Sequence, residues 1–158
     1  MEQTEKISIK KTDFKDLNKI IDFEKENSQF IQQYDIAEHT EILKNECHLS
    51  IFKKENNKLI GHIILTGISD QKKSVEFKRI VISEKGFGYG KDSIQLIKKI
   101  CFERYNANRI WLDVYSDNKR AIQLYESQGF LKEKIIQEKE RSLRELWIMS
   151  INNNTNDY

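Results

Sequence analysis

Ile80-Val81-Ile82-Ser83-Glu84-Lys85-Gly86-Phe87-Gly88-Tyr89-Gly90-Lys91 is the stretch on which the fold turns. Three β-branched residues lead into glycines at alternate positions, and Ile94, Ile97 and Cys101 then recur at helical spacing. The pattern is a strand, a tight loop and a helix start. Amides at a helix N-terminus lack intrahelical partners, and the helix dipole adds positive potential there. Glycines let that backbone approach a phosphate closely, so such a turn is an anion site, with Lys85 and Lys91 as flanking charge. Two familiar phosphate motifs do not fit. A dinucleotide fingerprint needs G-x-G-x-x-G, whereas the spacing here is Gly86-x-Gly88-x-Gly90. A P-loop needs Ser or Thr after Gly-Lys, and Asp92 follows Lys91. The plain alternative is a set of glycines that only shapes a turn.

Working outward, residues 6–11 read as a strand, and Asp13 caps a helix with Leu17, Ile20, Ile21 and Glu24 at helical spacing. A weaker helix is expected over 36–45. Strands over 48–53 and 58–67 are joined at Asn56-Asn57, and a third spans 73–82. Beyond the loop come a helix over 90–104, a strand over 109–115 and a helix over 118–128 that ends at Gly129. Strands over 130–138 and 144–151 close the chain. The order, β-α-α-β-β-β-α-β-α-β-β, predicts an α/β (α+β) fold with a mixed sheet of about six to seven strands and about four helices. One domain is expected over 1–151, with a polar tail over 152–158.

Composition narrows the function classes. The 158 residues are 38% hydrophobic and 33% charged, with 27 basic and 25 acidic side chains and a net charge of +2. That balance gives no general drive toward nucleic acid or a membrane surface. No apolar run approaches the roughly 20 residues of a membrane span, and the polar start MEQTEKISIK does not read as a signal peptide. A cytoplasmic protein is expected. Cys47 and Cys101 then read as free thiols, and three scattered histidines show no metal-ligand spacing, so no metal is expected. His39 and His48 read as structural or surface residues.

A second block gives the loop its meaning. Lys85-x-x-Gly88-x-Gly90 resembles the GNAT pyrophosphate motif, Arg/Gln-x-x-Gly-x-Gly/Ala. Asn118-Lys-Arg-Ala121-Ile-Gln-Leu-Tyr125-Glu-Ser-Gln-Gly129-Phe130 resembles the family's Asn-x-x-Ala-x-x-x-Tyr-x-x-x-Gly-Phe. Both stand in the family's order, about thirty residues apart, with helix and strand between. Glu76-Phe77-Lys78-Arg79 looks most like small bacterial members related to the ribosomal-protein and polyamine acetyltransferases. Lys85 departs from the usual Arg or Gln.

The resemblance implies acetyl-coenzyme A (acetyl-CoA) as cosubstrate and direct attack by an amine in a ternary complex. Cofactor contacts are then expected from Ile80, Val81, Ile82, Lys85, Gly86, Phe87, Gly88, Tyr89, Gly90, Lys91 and Asn118. Asn118 is also a good helix N-cap. An alkyl amine is neutral in only about one molecule in a few thousand at pH 7, a handicap of roughly 4–5 kcal/mol that a base offsets. Glu76 is the candidate base, with Asp113 second; an ion pair to Lys78 or Arg79 is Glu76's structural alternative. Strand alternation puts Glu76 on one face with Lys78, Ile80 and Ile82. Tyr125 matches the family's usual general acid. Acids between residues 24 and 46 (Glu24, Glu26, Asp35, Glu38, Glu41) suit a cationic acceptor or a solvated helix face equally. The acceptor is a small-molecule or peptide amine, and the late strands offer an edge for a homodimer. The alternative function is a non-enzymatic CoA-binding module.

Overall fold

The computed structural model describes residues 2–138 and 144–153. β1 (Glu2–Gln3) and β2 (Ile7–Lys11) are followed by α1 (Leu17–Glu26) and α2 (Ile36–Asn45). Three antiparallel strands come next, β3 (Cys47–Lys53), β4 (Leu59–Thr66) and β5 (Ser74–Ile82). α3 (Tyr89–Lys99) runs into a wider turn over Ile100–Arg104, and β6 (Arg109–Tyr115), α4 (Lys119–Ser127), β7 (Leu131–Gln137) and β8 (Glu145–Asn152) complete the chain. The expected order is present with one addition. Glu2 and Gln3 pair with Ile9 and Ser8, so the sheet has eight strands, in the order β1-β2-β3-β4-β5-β6-β8-β7. Asn152 closes β8, and residues 154–158 of the expected tail lie outside the described residues.

Asp13 caps a single short turn (Phe14–Asp16) by accepting from the Lys15 N–H, and α1 begins only after it. α2 has a stronger start than its sequence pattern suggested. Asp35 accepts from the Glu38 N–H at 2.8 Å while Glu38 accepts from the Asp35 N–H at 3.2 Å, a reciprocal capping box.

Each sheet face is covered. Ile7, Ile9, Ile51, Ile63, Leu65, Val75, Phe77, Ile110 and Leu112 pack under α3 and α4, which contribute Ile94, Ile97 and Ile122. Leu17, Ile20 and Phe23 of α1 cover Phe52, Leu59 and Val81 on the opposite face. Each such side chain contributes about 1.5–3 kcal/mol when fully buried. β7 forms one edge of the sheet and leaves Leu131, Ile135 and Ile136 exposed. Among the described residues no helix is long and apolar enough to cross a membrane.

Two irregularities in β5 create the site. Ile64 faces Arg79 and Leu65 faces Phe77, so Lys78 is an extra residue, a β-bulge. It reverses the alternation expected from sequence. Val75 and Phe77 share the α3/α4 core with Ile82 and the partly buried Ile80, whereas Val81 packs under α1. Glu76 thereby shares its face with Arg79, not with Ile80 and Ile82. The second irregularity is in the only parallel pairing among the described residues: β5 meets β6 at Ser74–Glu76 against Arg109–Trp111 and no further. A bulge sharpens the right-handed twist of its strand, and the two strands part just where it lies.

Candidate active site

The gap between β5 and β6 opens into a cleft of about 1140 Å³. One end is formed by the glycine loop and the start of α3. Gly88 is the residue before α3 and has φ +82°, and Gly86 has φ +86°, a region side chains rarely adopt. Gly90 serves packing instead, since a Cβ there would stand 3.0 Å from Leu124 of α4. Ile80, Val81, Ile82, Lys85, Tyr89, Lys91 and Asn118 line the same cleft. The Val81 side chain points into the α1 core, which leaves its backbone for any cofactor contact. Phe87 is not part of the lining; it is 59% exposed and stacks on Tyr89 at 5.7 Å. Lys85 does not extend toward the loop, because its Nζ donates to the Ile82 carbonyl at 2.9 Å. Partial burial and the nearby Arg120 charge lower its pKa. Asn118 caps α4, accepting from the Ala121 N–H at 3.3 Å.

Tyr125 lines the cleft, buried, with its ring edge-on to Phe77 (6.3 Å, 88°) and tilted against Phe130. Burial, and secondarily the charge of Asp113, raise its pKa well above that of an ordinary phenol, so it holds its proton at neutral pH. Glu76 accepts from Thr66 Oγ1 at 3.2 Å. Its carboxyl is pushed up, first by burial and then by Asp113, with the Thr66 bond opposing. Asp113 is pushed up likewise, by lost hydration in the cleft and by Glu138. Tyr125, Glu76 and Asp113 thus meet in one cleft, which continues past Tyr34, Tyr115 and Glu138.

Behind the cleft wall lies a cluster that sequence reasoning missed. Glu24, completely buried, accepts from His39 Nε2 (2.9 Å) and from the Tyr34 N–H (3.0 Å) at one oxygen. Its other oxygen accepts from His62 Nε2 (3.0 Å) and Arg79 Nη1 (2.9 Å). Burial alone would raise its pKa, but the bonds from His39, His62 and Tyr34 outweigh burial and hold it below the usual carboxylate range. His39 Nδ1 meets His48 Nε2 at 3.1 Å, and His48 Nδ1 meets Thr12 Oγ1 at 2.8 Å. Burial and the neighbouring His62 and His39 push His48 down to about 3. His62 Nδ1 is buried without a partner. All three histidines are buried, the structural side of the reading given to His39 and His48, and they form a connected network. Arg79 pairs with Glu24, so it is not Glu76's ion-pair partner, and Tyr34 lies 4.1 Å over its guanidinium. One signal was available in the sequence: Glu24 follows Leu17 and Ile20 on the apolar stripe of α1, where an unpaired acid would be costly.

The family model for the Acetyltransferase (GNAT) family matches residues 14–130. The chain belongs to the GNAT family. No curated protein matches the sequence. Two solved structures similar to this GNAT chain are of the spermidine N-acetyltransferase from Vibrio cholerae. The complex with CoA and spermine has a TM-score of 0.82 at 22% identity, covering 94% of this chain and 96% of that one. The dodecameric form in an intermediate state has a TM-score of 0.81 at 22% identity, covering 98% and 99%. At such identities the likeness is one of fold. As a GNAT acetyltransferase the chain is an acetyl-CoA-dependent N-acetyltransferase. The cleft fits that cosubstrate: left-handed glycines open a helix at one end, and an unpaired strand edge leads toward a protonated tyrosine.

Proposed function

We propose that this domain, over residues 1–151, acetylates a primary amine of a small cationic acceptor by direct attack in a ternary complex. The observation that carries the reading is the convergence of Tyr125, which keeps its proton, with Glu76, whose carboxyl is pushed up, in one continuous cleft. Acetyl-CoA supplies the activated acetyl group as a thioester. Glu76 takes a proton from the acceptor nitrogen, directly or through water, so that the lone pair is free to form the new C–N bond. Free amides on the unpaired edge of β5 beyond Glu76 face the carbonyl oxygen as it gains charge. Tyr125 gives its proton to the sulfur as the C–S bond breaks. Its raised pKa keeps the phenol neutral and protonated until a thiolate forms.

A cationic acceptor is favoured by the carboxylates around Glu76: Asp113, whose charge raises the Glu76 pKa, and Glu138, whose charge raises that of Asp113, all three lining the cleft. The spermine held by the Vibrio cholerae structure of the same fold makes polyamines the first class to test. The test is thiol release with a panel of amines, read on the wild type and on Tyr125→Phe. The wild type should acetylate at least one amine. The variant should bind acetyl-CoA within about twofold of wild type yet turn over about 100-fold more slowly. Acetyl-CoA binding with no turnover of any amine would favour the CoA-binding module instead.

A further inference from the structure

Glu24 is no part of the cleft surface, yet it holds two groups that are. It stands on the buried stripe of α1, at a position where packing alone calls for an apolar side chain. Replacing a buried ion pair by well-packed apolar residues is often neutral or stabilising, so a carboxylate here is not explained by stability. Its contacts suggest a different use. One oxygen accepts from Arg79 Nη1 at 2.9 Å, and the other accepts from the Tyr34 N–H at 3.0 Å. The second bond fixes the loop after α1 so that the Tyr34 ring lies 4.1 Å over the Arg79 guanidinium. Arg79 and Tyr34 both line the cleft, and Arg79 shares the β5 face of Glu76. Within the buried cluster Glu24 is the sole acid and Arg79 the sole permanent cation.

We propose that Glu24 sets the charge preference of the acceptor site: paired with Arg79 behind the wall, it cancels a guanidinium that would otherwise repel cationic amines. The inference rests on the reading of the acceptor as a cationic amine. Glu76, Asp113 and Glu138 supply the attraction, Lys78 remains as a lining cation, and Glu24 removes the Arg79 charge without entering the cleft. An uncancelled guanidinium in a partly dry wall acts on each positive charge of the acceptor, so its effect grows with the acceptor's charge. Glu24 is therefore a positioning and specificity residue, and no bond of the reaction passes through it.

The test uses the wild type, Glu24→Gln and the double variant Glu24→Gln/Arg79→Gln. Each is assayed with aliphatic mono-, di-, tri- and tetraamines at low and high salt, and acetyl-CoA affinity is measured alongside. Glu24→Gln should raise KM about threefold for the monoamine and about tenfold or more for the triamine, with kcat little changed. The graded loss should shrink at high salt, since mobile ions screen a charge term. Acetyl-CoA affinity should be the same in all three proteins. The double variant, lacking the cation, should recover most of the wild-type preference. If Glu24→Gln does not fold, Glu24→Asp withdraws the carboxylate from Arg79 and should give a smaller shift of the same sign. A loss equal for every amine and deepened in the double variant would make Glu24 a structural residue only and overturn the inference. A wild type that neither binds nor acetylates any member of the series would overturn the cationic-acceptor reading itself.

Discussion

At the scale of single residues, the pKa directions divide the labour of the cleft. Tyr125 and Glu76 are both pushed up, but the consequences are opposite: the phenol remains an acid, and the carboxyl becomes a stronger base. As the proposed base, Glu76 can accept the amine proton only in its carboxylate form. The rate should therefore rise with pH through a value above the ordinary 4.5 of a glutamate, and fall as pH drops below it. Glu76→Gln should abolish this acidic limb and lower kcat/KM about 100-fold. Asp113→Asn should move the limb to lower pH, because it removes one of the charges that push Glu76 up. A pH–rate series on the three proteins decides the matter. A limb that survives in Glu76→Gln and disappears in Asp113→Asn would make Asp113 the base. The glycines, Asn118 and Tyr125 were legible in the sequence because local motif spacing fixes them. The partner of Arg79 was not, since Glu24 lies 55 positions away and only the packing of α1 on the sheet joins them.

At the scale of elements, α2 is held by polar contacts more than by an apolar face. His39 is its one buried residue, and that ring joins Glu24 to His48. This network makes docking of α1 and α2 sensitive to acid. His48 is neutral when buried and titrates at about 3 rather than 6.5, so the unfolded chain binds its proton first as pH falls. Glu24, held low, acts in the same direction below the ordinary carboxylate value of 4.5. The stability His48 contributes is complete above about pH 6.5 and is lost progressively toward pH 3, and that of Glu24 is lost only below about pH 4.5 and on past pH 3. Thermal melts across that window should show the wild type losing Tm more steeply than His48→Gln; equal slopes would contradict the role given to His48. Element boundaries followed the apolar periodicity closely, β6 over Arg109–Tyr115 and α2 over Ile36–Asn45 among them. The bulge at Lys78 was not legible, because nothing in Glu76-Phe77-Lys78-Arg79 itself marks an extra residue. It arises from the register of β4 against β5, and it moved Arg79 onto the face of Glu76.

At the scale of the whole molecule, the parting of β5 from β6 joins what the sequence presents as two separate motifs. The glycine loop, Tyr125 and the carboxylates Glu76 and Asp113 all line the one cleft. Under the proposed mechanism both substrates occupy this cleft at once and no nucleophilic side chain is required. The cysteines are placed accordingly: neither Cys47 nor Cys101 lines the cleft, and burial pushes the Cys101 thiol up to about 12. Steady-state rates with acetyl-CoA and a turned-over amine varied against each other test this layout most directly. Direct transfer in a ternary complex predicts double-reciprocal lines that intersect. Parallel lines, the signature of an acetylated enzyme formed before the amine binds, would contradict it.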